Sequence, residues 1–182
     1  KLMGIAKQVT PNNCEISLNL YSGENKNLTQ GHIIEVFPLS QSFEEGTQRY
    51  TSTPPSVTSG SNQQANGATW SFRTELTSSN WQTSSFGTGV TGSYTTQAGG
   101  GVWYVGSEFK GEQSFFADDN LDLNINVTNI IQKFSASYYQ SAAYPTGLPN
   151  NGFIIKKPTT TEEDGSGFGE LQYFSSNTHT IY

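Results

Sequence analysis

Leu121-Asp122-Leu123-Asn124-Ile125-Asn126-Val127 alternates an apolar side chain with a polar one at every step. Successive side chains of a strand point to opposite faces, so this pattern predicts a strand with one face buried and one in water. The period then changes. Ile130, Ile131 and Phe134 recur at helical spacing with Thr128 in the N-cap place, which predicts one short helix near 128–135. Upstream, the stretch from Cys14 to Tyr21 alternates too, with Cys14, Ile16, Leu18 and Leu20 on one face. His32-Ile33-Ile34-Glu35-Val36-Phe37, stopped by Pro38, reads as the strand returning after the polar turn region 22–31, the two forming a hairpin.

Further short strands are expected at 68–72, 91–96, 102–105, 153–156, 171–174 and 179–182, with Asn150-Asn151-Gly152 as a turn. Residues 41–67, centred on Pro54-Pro55, show no apolar period and are expected to run as an extended excursion over the surface. Many short strands and a single helix predict an all-β fold, an antiparallel β-sandwich or jelly roll with long loops, over a single domain 1–182.

Composition agrees. Apolar residues make up 33% of the 182-residue chain and aromatic ones 13%, so the core must rest on a few large rings and β-branched side chains. A chain of this length buries roughly 70% of its unfolded surface and needs neither metal nor disulfide to hold a core. Charged residues are 13% and the net charge is -6, which speaks against a nucleic-acid partner, since phosphate binding needs a clustered basic face. Cys14 is the single cysteine, excludes an intrachain disulfide and is expected as a small buried residue. No apolar run is long enough to cross a membrane as a helix, and no signal peptide is expected in this stretch. Lys1 leads straight into sequence that reads as mid-domain, so the chain is expected to be a fragment or a matured product.

The order of these segments resembles a known family. The residues are Ile16 to Tyr21, Ile34-Glu35-Val36-Phe37-Pro38-Leu39-Ser40, Ser42-Phe43-Glu44-Glu45-Gly46-Thr47, Gly67-Ala68-Thr69-Trp70 and Trp81. They continue with Gly99-Gly100-Gly101-Val102-Trp103, Leu121 to Thr128, Asn151-Gly152-Phe153-Ile154-Ile155-Lys156 and Phe174 to Tyr182. In this order they are similar to the DNRLRE-type carbohydrate-binding-module-like jelly roll, above all to versions in virion structural proteins of tailed phages. The resemblance spans residues 14–182. It implies that the family's opening strands lie upstream of Lys1 and a final strand downstream of Tyr182.

Candidate chemistry is sparse. His32 and His179 lie far apart, without a cysteine or carboxylate at metal-ligand spacing, and read as structural or surface residues. Gly99-Gly100-Gly101 has no helix or lysine after it and reads as a turn, not a phosphate cradle. Glu44-Glu45, Asp118-Asp119 and Glu162-Glu163-Asp164 lie in polar loop sequence, where carboxylates stay hydrated and ionised; a glycosidase acid needs an apolar pocket. Asp118-Asp119-Asn120 lacks the spacing of a calcium loop, and Asn27-Leu28-Thr29 and Asn126-Val127-Thr128 are chance matches to the glycosylation pattern if the origin is a phage. No catalytic, metal or cofactor site is therefore expected.

Trp70, Trp81, Trp103 and Tyr104 are the candidate ligand-binding or interface residues, because flat rings stack on sugars and also anchor protein interfaces. Trp70 and Trp81 match general family positions and read as core. Trp103 and Tyr104 are adjacent, so one of them is expected on the outside of a strand, at an interface. The expected function is a non-catalytic virion structural protein of a tailed phage, its jelly roll used for subunit assembly or particle decoration. Its partners would be other virion proteins and copies of itself. The alternative is a glycan-binding module on a phage appendage or a bacterial surface protein, meeting surface polysaccharide outside the cell. A polysaccharide-degrading enzyme stands third.

Overall fold

The computed structural model describes residues 14–26, 31–45, 67–68, 72–74, 79–81, 101–116, 121–136, 139–158, 161 and 170–174. The fold is all-β. Nine strands are described: β1 (Ser17–Leu20), β2 (Ser22–Lys26), β3 (His32–Pro38), β4 (Phe72–Thr74), β5 (Ser79–Asn80), β6 (Gly111–Phe115), β7 (Leu123–Asn126), β8 (Phe153–Lys156) and β9 (Glu170–Tyr173). A 3-10 turn at Ser107–Phe109 precedes β6, and the short helix α1 (Thr128–Lys133) follows β7. The strands pair as β1–β7, β2–β9 and β4–β5 ribbons and as one three-stranded sheet in the order β6-β3-β8. The β1–β7, β2–β9, β3–β6 and β4–β5 pairings are antiparallel.

The chain falls into two compact units. One takes its described residues from Lys1–Phe37, Ser107–Leu148 and Ile155–Tyr182, the other from Pro38–Gly106 and Pro149–Ile154.

In the first unit the alternation of residues 121–127 does what the pattern predicts. Leu123 and Ile125 are each 1% exposed while Asn124 and Asn126 face water. β3 alternates likewise, with His32, Ile34 and Val36 buried and Ile33 exposed. The expected hairpin does not form. β1 pairs with β7 and β3 with β6, and the stretch read as a turn contains β2, held by β9. Partner choice is a non-local matter that strand periodicity does not encode. Cys14 is exposed, not buried, because the strand begins only at Ser17 and its pleat does not reach back that far.

The β7–α1 junction solves a competition for one carbonyl. Continuing the β1–β7 register would set Ile16 opposite Val127, and the Val127 N–H does donate to Ile16 O at 2.8 Å. The Val127 carbonyl, however, accepts the helical bond from Ile131 N at 2.9 Å. The Ile16 N–H donates instead to Thr128 Oγ1 at 2.8 Å. Thr128 is thus the first helical residue, its hydroxyl spent on β1, and Asn126 Oδ1 accepts from its N–H at 2.9 Å. The far end of α1 is closed by Leu148 N donating to Lys133 O at 2.8 Å. That approach needs Gly147, at φ 86°, where a Cβ would stand 2.8 Å from Phe134 O and from Ala136 N.

A side chain also joins two sheets. Gln113 of β6 donates from Nε2 to Asp122 O at 3.1 Å and accepts from Asn124 N at Oε1, 2.7 Å. Its carboxamide occupies the edge of β7 as a peptide group of a neighbouring strand would.

Candidate functional site

The second unit contains the rings singled out from the sequence. Trp81 follows β5 and is 6% exposed; Trp103 and Tyr104 are 4% and 1% exposed. The expectation that one of the latter pair faces outward is not met. Residues 102–105 form no half-exposed strand: Trp103 makes an isolated bridge with Leu39, Tyr104 N donates to Pro38 O at 3.1 Å, and Ser40 N donates to Val102 O at 2.9 Å. Val102-Trp103-Tyr104 is an unbroken apolar run, which is how a segment covered on both faces reads. Gly101 leads it past Trp81: a Cβ there would meet Leu39, Ile154 and the Trp81 ring between 3.5 and 4.0 Å. These rings build a core. Trp70 lies outside the described residues.

Among the described residues the exposed large apolar side chains are elsewhere. In the first unit they are Tyr21 (68%), Ile33 (42%), Phe116 (70%), Ile155 and Phe174 (37%); in the second, Phe43. Tyr21 and Phe174 form a cross-strand pair where the β2–β9 ladder ends, with Phe174 N donating to Tyr21 O at 3.0 Å. Phe174 lies across Gly23, whose added Cβ would be 3.7 Å from the ring tip. With no side chain at Gly23, the two rings give this end of the ribbon an apolar outer face. Sequence reasoning missed both, though Tyr21 carried a signal: it follows Leu20 directly, so one of the two must leave the buried phase. On β3 and β6, Ile33 shares its face with Phe116, and the Phe116 ring atoms would lie 3.1 Å from a Cβ at Gly31.

Charged groups on the same sheet face are bridged by a single lysine. Glu35 and Glu112 are opposite one another on β3 and β6, and Lys110 Nζ reaches both, at 3.6 and 2.7 Å. The hydrogen bond to Glu112 holds the Lys110 ammonium above its ordinary pKa. Glu44 and Glu45 are exposed; Asp118, Asp119, Glu162, Glu163, Asp164 and His179 lie outside the described residues. Among the described residues no three His, Cys, Asp or Glu side chains are placed to hold a metal ion, and no helix is long and apolar enough to cross a membrane.

The chain matches no family model, no curated protein and no solved structure. What its surface can do must be read from its own geometry. The Tyr21–Phe174 ribbon and the Ile33–Phe116 face can bury apolar area or stack against a flat partner.

A second polar spot lies at the β2–β9 ribbon. Asp122 accepts at Oδ1 from Ser22 N, 2.7 Å, and acts electrostatically on Tyr173, the register partner of Ser22. The Tyr173 hydroxyl is enclosed without a hydrogen-bond partner, and burial, then the Asp122 charge, pushes its pKa up to about 12.

Proposed function

We propose that this chain is a non-catalytic assembly module, a jelly roll of a virion structural protein of a tailed phage that docks onto copies of itself and onto other virion proteins. The observation that carries the reading is where the rings lie. Trp81, Trp103 and Tyr104 are withdrawn into a core, while Ile33 on β3 and Tyr21 and Phe116 beside strand ends stand out in a chain rich in hydroxyl and amide side chains. Apolar and aromatic side chains amid neutral polar ones are what an interface core and rim require. The order of segments resembling the phage jelly rolls supports the same assignment.

One observation favours a second reading. Tyr21 and Phe174 are both exposed, and exposed aromatic rings stack on sugars, so a glycan-binding module of a phage appendage or a bacterial surface protein is the competitor.

Sedimentation of the protein, alone and with purified particles, separates them. Assembly predicts an oligomer or a particle-bound species that Tyr21→Ser and Phe116→Ser weaken. A monomer that ignores particles, is retarded in a gel containing host polysaccharide and loses that retardation in Tyr21→Ala would overturn assembly in favour of glycan recognition.

A further inference from the structure

His32 opens β3, the central strand of the three-stranded sheet, and its side chain is 9% exposed on the face that also buries Ile34 and Val36. Across the ladder it faces Phe115 of β6, with ring centroids 6.4 Å apart. Its Nε2 is fully enclosed and has no hydrogen-bond partner. A neutral imidazole can leave one nitrogen unbonded. An imidazolium carries an N–H on both, so protonation here would create a buried, charged donor without an acceptor.

Among the described residues no carboxylate sets a counter-charge against it. On β3, Glu35 lies on the opposite face and is tied to Lys110, as is Glu112 on β6. The rung partner Phe115 is uncharged. Beyond β8, Lys157 acts on the ring, and its positive charge opposes a second cation. Burial first, and Lys157 second, hold the imidazole below its ordinary 6.5.

We propose that His32 is an acid-operated release for the end of the sheet where β3 and β6 meet. While the ring is neutral, the His32–Phe115 rung stays closed. Once protonated, the ring must reach water, and the rung opens. Phe116 rests over Gly31 at that same end on the opposite face, and Phe115 is 2% exposed, so opening would uncover the Phe115 ring as well. Mild acid would thus enlarge an apolar surface at a defined place. This device does not depend on the assembly reading.

The sign follows from linkage. The unfolded or opened segment takes up its proton near 6.5, the closed one only at lower pH. Closure is therefore fully favoured above 6.5 and is lost as pH falls below it, by about tenfold per pH unit until the closed-state pKa is reached.

Amide exchange of the whole chain, corrected for intrinsic rates and followed from pH 7.5 to 5, tests this. Protection of the His32 and Phe115 amides is expected to fall with pH in the native protein and to stay level in His32→Phe. The same fall in His32→Phe, or no fall in the native protein, would overturn the proposal. Should His32→Phe not fold, His179→Gln leaves a single imidazole to titrate by NMR. A value below 6.5 with the ladder-end amides shifting in step sustains the device, and one at or above 6.5 defeats it.

Discussion

Replacing Thr128 with valine keeps the shape of the side chain and removes the hydroxyl that stands in for the Val127 carbonyl. Thr128 is 9% exposed, and its Oγ1 accepts the Ile16 N–H at 2.8 Å. Val127 O is already committed to Ile131 N, so the Ile16 donor would have no backbone acceptor to fall back on. A partly buried N–H left without a partner costs about 1–3 kcal/mol. With a urea dependence of roughly 2 kcal/mol per molar, the unfolding midpoint should drop by about 1 M. Exchange at the Ile16 amide should accelerate about five- to 150-fold, the same free energy expressed as a population. Thr128→Ser is the control: it loses one methyl, about 0.8 kcal/mol, and retains the acceptor, so Ile16 stays protected relative to its neighbours. Equal midpoints and equal Ile16 protection in Thr128→Val and the parent would refute the account of the junction.

Gly147→Ala should destabilise by about 2–4 kcal/mol in urea unfolding, because a left-handed φ and backbone contacts at 2.8 Å act together, and neither Phe134 O nor Ala136 N can step aside. Gln113→Ala removes both bonds to the β7 edge and should cost about 1–3 kcal/mol, with the Asn124 amide losing exchange protection first. Tyr173→Phe should raise the urea midpoint or leave it unchanged, since the deleted hydroxyl has no partner. The Tyr173 phenol is raised to about 12, so its contribution to stability is fully present below pH 10 and lost as pH climbs towards 12. Alkaline unfolding of Tyr173→Phe should be correspondingly less steep than that of the parent.

Those parts of the fold that bury one face were legible. Leu123 and Ile125, Ile34 and Val36, and the change of period at Thr128 all follow from alternation and its interruption. β2 and β6 were not, because Ser22–Lys26 and Gly111–Phe115 are almost wholly polar and become strands through partners remote in sequence. The rings show the same limit. Trp103 and Tyr104 looked like an in–out pair until burial of both showed a doubly covered segment, a reading the unbroken apolar run would have allowed. Tyr21 and Phe174 needed the β2–β9 pairing to become neighbours at all.

The carboxamide of Gln113 places a heavy demand on a single residue type. Its reach and its two complementary ends must match a peptide group: asparagine is one methylene short, glutamate cannot donate to Asp122 O, and lysine cannot accept from Asn124 N. The strand it sits on and the strand it serves belong to different ladders, so sliding either by one residue would face the amide with the wrong partner. A lone surface-edge glutamine therefore acts as a registration pin between two sheets, and sequence drift at that position should be narrower than its part-exposed place on a polar strand suggests.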